Sequence, residues 1–289
     1  MKTRILTAAV GIPAIVAIMW ASVYCPYVLC GVLLLLSLIG IHEVLKTTGA
    51  DKVRILYVPC FAYGIAVILA PFIGDSLKMF GTILAASMIY LFVMFAILLR
   101  KHTVLRIETL CTSMILTMFV SIPFMVVELI FLTMMKNADG TPSYSGGIAL
   151  VSYCLLIAWV ADGAAYFTGR AFGKHKLAPV LSPKKTIEGS VGGFVFSMIF
   201  SIGAAYLYSD VFGCTSNGIH YTNLVVITAV SILMSMFGDI SFSTVKRQYG
   251  IKDFGNLLPG HGGVLDRFDS VLFVCPTFYM LQFLLPIIR

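Results

Sequence analysis

Charge is scarce in this chain. Only 11% of its 289 residues are Asp, Glu, Lys or Arg, against about 25% in an ordinary soluble domain. No polar stretch is long enough to fold as a separate soluble domain. C-x-x-C pairs are also missing: Cys25, Cys30, Cys60, Cys111, Cys154, Cys214 and Cys275 are scattered, most of them in or near apolar runs. That argues against a zinc site and leaves buried thiols as the default, with Cys214 alone in an exposed position. The G-x-x-x-x-G-K-[ST] spacing of a phosphate-binding Walker loop is absent. Aromatic residues do not interleave with the basic ones, so the net charge of +7 lacks the stacking platform that a nucleic-acid partner would require.

What remains is apolar: 59% of the residues are hydrophobic. A membrane-spanning helix needs about 20 apolar residues. Nine stretches qualify, near 5–25, 27–45, 53–74, 79–99, 110–135, 147–169, 189–209, 223–243 and 268–288. Pro26 barely separates the first two, which form either a tight hairpin or a re-entrant segment followed by a span. The opening MKTR and its apolar run read as an uncleaved first span, since the run is long and no cleavage site follows. The expected fold is therefore all-α, a polytopic integral membrane protein of about nine transmembrane helices. With the N-terminus cytoplasmic, 17 of the 20 Lys and Arg residues fall on the inside. Only Lys78, Lys136 and Arg289 do not, and this bias sets the orientation.

Polar residues inside spans are costly and mark function or packing. In the first half these are few. His42 and Glu43 sit at a cytoplasmic span end, where polar residues are expected. Glu128, within FMVVELIF, suggests a structural or dimer-contact role. The turn-rich NADGTPSYSGG reads as a connector. The chain thus divides into a scaffold over 1–140 and a catalytic region over 141–289, with cytoplasmic loops at 170–188 and 244–267.

The second half carries the chemistry. Asp162 lies in a span, with Tyr166, Gly169 and Gly173 on the same helical face. Small residues there allow a neighbouring helix close. The loop that follows carries Lys174, His175, Lys176, Ser182, Lys184, Lys185, Thr186 and Glu188. Its ammonium groups and hydroxyls suit a triphosphate. Asp239, Ser243, Lys246 and Arg247 share a face at the end of the eighth span. The stretch STVKRQYGIKDFGNLLPGHGGVLDRFD, Ser243 to Asp269, adds Lys252, Asp253, His261, Asp266, Arg267 and Asp269 among glycines. Cations suit phosphate, carboxylates suit a hard metal ion, and glycines permit backbone to approach a ligand. An ordinary positive-inside loop would need neither the carboxylates nor the glycine pairs. Asp266 and Asp269, near a helix start, are alternatively plain dipole partners.

Ser243 to Asp269 resembles the signature of phosphatidate cytidylyltransferases, S-x-apolar-K-R-x4-K-D-x-small-x2-apolar-[PG]-x-H-G-G-apolar-x-D-R-x-D. It is matched by Ser243, Val245, Lys246, Arg247, Lys252, Asp253, Gly255, Leu258, Pro259, His261, Gly262, Gly263, Val264, Asp266, Arg267 and Asp269. The stretch around Asp162 and SPKKTIEG is similar to the family's second landmark. The resemblance is strong over roughly residues 150–289. It implies transfer of CMP from CTP to phosphatidate, giving CDP-diacylglycerol and pyrophosphate, in phospholipid synthesis. It further implies a homodimer in the lipid membrane, a bacterial plasma membrane, with a polar funnel open to the cytoplasm. The cofactor implied is magnesium, with a second, monovalent cation left open; Asp239 and Asp266, from adjacent helix ends joined by the glycine-rich turn, are the residues read here as sharing it. Lys246, Arg247, Lys252 and Arg267 would then clamp phosphate groups. The aspartate cluster of CDP-alcohol phosphotransferases is absent. A transporter with Asp162 and Asp239 as ion sites is the other class, but the chain has no internal repeat to match it.

Overall fold

The computed structural model describes residues 2–132, 135–136, 142–179, 181–211, 219–257 and 262–287. His261, Asp139, Cys214 and Arg289 lie outside them. The described chain is almost entirely helical, and it divides into two compact units. One comprises Met1–Leu129 and Tyr249–Arg267, the other Ile130–Gln248 and Phe268–Arg289. The boundary thus differs from a simple division near residue 140, because 249–267 groups with the N-terminal helices.

The first unit contains α1 (Lys2–Tyr24), α2 (Tyr27–Thr48), α3 (Tyr57–Leu69), α4 (Ser76–Lys101) and α5 (Ile107–Leu132). Short 3-10 turns join α2 to α3. Local chemistry marks the helix ends. α2 stops at Gly49, which takes the left-handed conformation (φ 73°) open to a residue without Cβ. α4 begins after Asp75, whose Oδ1 accepts the amides of Leu77 and Lys78 at 2.9 and 3.2 Å. Between the helices, small and polar residues meet inside the apolar core. Thr48 and Ser113 share a hydrogen bond of 2.7 Å. Gly64 leaves room for Ile41, since a Cβ there would come 2.7 Å from its Cδ1. Glu128 is fully buried, 0% exposed, beside Cys30.

The second unit contains α6 (Tyr144–Phe172), α7 (Ile187–Tyr206), α8 (Tyr221–Gln248) and α10 (Val271–Leu284). The four-residue α9 (Leu265–Phe268) precedes α10. Two small antiparallel pairs qualify the all-α expectation. β1 (Met135–Lys136) pairs with β2 (Pro142–Ser143). β3 (Lys176–Ala178) pairs with β4 (Ser182–Thr186), so much of the expected basic loop is a hairpin.

Among the described residues, seven helices are long and apolar enough to cross a membrane. Of the two other expected spans, α1 runs 23 residues and α10 has 14. At 1.5 Å per residue α10 covers only about 21 Å of a hydrocarbon core of about 30 Å.

α6 and α7 approach through glycine. A Cβ on Gly189 would lie 2.8 Å from the carbonyl oxygen of Ala165 and 3.0 Å from Cα of Gly169. Backbone on both sides cannot step aside. Gly189→Ala is therefore expected to destabilise the fold by about 1–3 kcal/mol. A lowered melting temperature in detergent is the readout; an unchanged one would show that the two helices separate without cost.

Candidate active site

In the second unit, α6, β4, α7 and α8 enclose a cavity of about 290 Å³. Asp162 and Tyr166 line it from α6, Lys184, Lys185 and Thr186 from β4, and Asp239 from α8. The hairpin places the lysines. The Ile187 amide donates to the carbonyl of His175 at 2.9 Å, closing its base. Thr186 then caps α7, its Oγ1 accepting the Gly189 amide at 3.1 Å. With the cap in place, Lys185 projects to Asp239 and forms an ion pair with it. Both side chains are about three-quarters buried, with 25% and 27% of their surface exposed.

Two further carboxylates stand near this cavity. Asp162 Oδ2 accepts a hydrogen bond from the Ser270 hydroxyl at 3.0 Å. Asp269 is buried, accepts the Ser270 amide at 2.8 Å, and lies within electrostatic reach of Asp239, Asp162 and Lys246. Gly238 permits this approach of α8 to the start of α10, since a Cβ there would sit 2.8 Å from the carbonyl oxygen of Asp269. Ser243, Lys246 and Arg247 follow on the last turns of α8. Glu188 points elsewhere. Its carboxylate accepts the His175 amide at 3.1 Å and contacts His175 Nδ1 at 2.7 Å, which ties α7 to the hairpin. Lys174 is exposed beside it, and Ser182 opens β4 opposite Ala178.

The rest of the signature belongs to the first unit. Lys252, Asp253 and Arg267 are exposed. Asp266 is a staple: its Oδ2 accepts the amides of Phe254 at 2.7 Å and Gly263 at 3.0 Å. Gly262, at φ 83°, turns the chain tightly against that carboxylate. A second carboxylate takes the next two amides. Glu43, on α2 and only 4% exposed, accepts from Val264 and Leu265, each at 2.9 Å. Glu43 was expected only as a polar residue at a span end, and no local pattern distinguishes it. Its partners are 221 and 222 residues away. The glycines take on a different meaning here. Cβ atoms on Gly255 and Gly263 would both collide with the Glu43 carboxylate. At these two positions the close approach is made to the chain's own acid.

Residues 2–285 match the profile of the cytidylyltransferase family. The chain belongs to that family. It is 32% identical to the phosphatidate cytidylyltransferase of Staphylococcus saprophyticus, over 97% of this chain and 98% of that one. Identity is 42% over 140 residues with the phosphatidate cytidylyltransferase of Staphylococcus haemolyticus, 47% of this chain and 50% of the relative. It is 41% over 136 residues with that of Bacillus subtilis, 47% and 48%. In these last two the chain spans about half the length of the relative it matches. Within this cytidylyltransferase-family chain, the signature is carried by both units, α8 and Asp269 in one, 249–267 in the other.

Proposed function

We propose that the chain is a phosphatidate cytidylyltransferase, transferring CMP from CTP to phosphatidate to give CDP-diacylglycerol and pyrophosphate. The observation that carries this reading is the cavity of the second unit. There two lysines and two carboxylates meet among apolar helices, in a chain related over nearly its whole length to a protein of that name. A phosphate oxygen of phosphatidate attacks the α-phosphorus of CTP. The new O–P bond forms as the bond to the bridging oxygen breaks, and pyrophosphate leaves with the electron pair. A phosphate monoester is already largely ionised near neutral pH, its second pKa being about 6, so no general base is assigned. Lys184 and Lys185 supply positive charge to the triphosphate, where charge accumulates on leaving-group oxygens. Lys246, Arg247, Lys252 and Arg267 stay as proposed phosphate contacts.

Magnesium is the proposed cofactor. Asp162 and Asp239 present only carboxylate oxygens to the cavity, the donor set a hard cation takes. Among the described residues no three His, Cys, Asp or Glu side chains gather closely enough to enclose a metal by themselves. That suits an ion which keeps water and substrate phosphates among its ligands. Asp239 and Asp266 are the donors proposed on the sequence pattern; Asp162 is added on the cavity that it lines with Asp239. When bound, the ion would neutralise phosphate charge and fix orientation. Homodimerisation, a plasma-membrane location and a cytoplasm-facing site are part of the proposal.

Purified protein in detergent, given radiolabelled CTP, phosphatidate and magnesium, should form labelled CDP-diacylglycerol; absence of that product overturns the reading. Orientation has its own test. A cysteine at Gln248, at the exposed end of α8, should react with a membrane-impermeant thiol reagent only after the membrane is opened. Labelling from outside intact cells would put the site on the wrong side for CTP.

A further inference from the structure

We infer that Glu43 is a positioning residue for the signature segment, and that Gly255 and Gly263 are glycine because they must admit its carboxylate. The inference rests on the transferase reading proposed above. A carboxylate buried to 4% exposure is costly unless hydrogen-bonded. Here each oxygen has a backbone partner, Oε1 the amide of Val264 and Oε2 the amide of Leu265. Asp266 Oδ2 holds the amides of Phe254 and Gly263. Three consecutive amides, 263 to 265, and a fourth about ten residues earlier are thus held by two acids of the chain itself. These amides are committed to shaping the segment. Phosphate recognition falls to the side chains at its two ends, Lys252 and Arg267, both exposed.

Capping of the four-residue α9 does not explain the arrangement. Gly255 lies ten residues before Leu265, yet a Cβ there would come 2.5 Å from Glu43 Oε1 and 3.0 Å from its Cδ. Gly263 would meet the same two atoms. Both ends of the segment therefore close on one side chain of α2. Gly40, one turn earlier on α2, completes the seat: a Cβ there would lie 3.1 Å from Cδ2 of Leu265. The segment is drawn onto α2 by a charge and fitted by missing side chains, and the spacing of Lys252 and Arg267 follows from that seat.

Hydrogen–deuterium exchange and steady-state kinetics on the full chain in detergent test this. Glu43→Gln keeps the shape but replaces one acceptor by a donor facing an amide. It should lose protection at 254–257 and 262–265, including Phe254, whose amide Asp266 holds. Its kcat should fall roughly tenfold to a hundredfold, because a displaced cation costs most in the transition state. KM for CTP should stay within about threefold. Glu43→Asp, which keeps the charge on a shorter arm, should recover part of both protection and kcat. Unchanged protection, or a kcat within about twofold of wild type, overturns the inference.

Should Glu43→Gln fail to fold, Gly255→Ala supplies the second arm. Alone it should reproduce the loss of protection at 264 and 265. Added to Glu43→Ala it should cost nothing further, since the carboxylate it collides with is gone. Additive losses overturn the inference. If the wild type forms no CDP-diacylglycerol while exchange still follows Glu43, the seat on α2 holds and the transferase reading is what fails.

Discussion

Asp239→Asn is expected to lower turnover at least about 100-fold, or about 2.7 kcal/mol of transition-state stabilisation. The side chain keeps its shape but loses its charge in a cavity where Lys185 pairs with it. Two consequences combine. The lysine ammonium is left about three-quarters buried without its counter-charge, and the cavity loses one of the two carboxylates that line it. Asp162→Asn removes the other, which Ser270 orients. The double variant should fall far short of the sum of the two losses, because both residues serve one unit. Turnover against magnesium concentration for the two single variants and the double decides the matter. If Asp239→Asn keeps near-normal turnover and magnesium dependence, its assignment as a metal donor is wrong.

Asp266→Asn should be as damaging, at least about 100-fold in turnover, but by a different physical route. Oδ2 of Asp266 accepts two backbone amides, and hydrogen bonds to a charged group contribute about 1.5–3 kcal/mol each. The neutral amide weakens both and can present a donor where an acceptor is needed. Loss of activity should therefore come with faster exchange at Phe254 and Gly263, while Asp239→Asn leaves those amides protected. Loss of activity with exchange unchanged would mean that Asp266 acts through its charge and not by shaping the segment. Normal turnover would remove it from the site altogether.

Much of this was legible in the chain before folding. The scarcity of charge and the length of the apolar runs required membrane helices, because a backbone in hydrocarbon must satisfy its own hydrogen bonds. The glycines of α6 and α7 announced a close helix pair, since their effect depends on spacing along one helical face. Asp162 and Asp239 stood out as polar groups where polarity is expensive, and Lys184 and Lys185 as cations of a loop suited to a triphosphate; all four line one cavity.

Tertiary structure alone decided how these groups are used. Glu43 looked like an ordinary polar residue at a span end, and its partners lie more than 220 residues away. No local period carries that information. Asp266 read as a metal ligand, yet which backbone amides its Oδ2 accepts depends on how residues 254 and 263 fold back upon it. Gly255 and Gly263 read as room for a ligand. A glycine records only that something comes close, and the fold alone specifies that it is the Glu43 carboxylate. Where α10 begins and ends, at Val271 and Leu284, is likewise fixed by the fold, because hydropathy measures the apolar run and not the helix ends. Sequence sets which groups are too costly to bury without partners; the long-range packing of the helices chooses the partners.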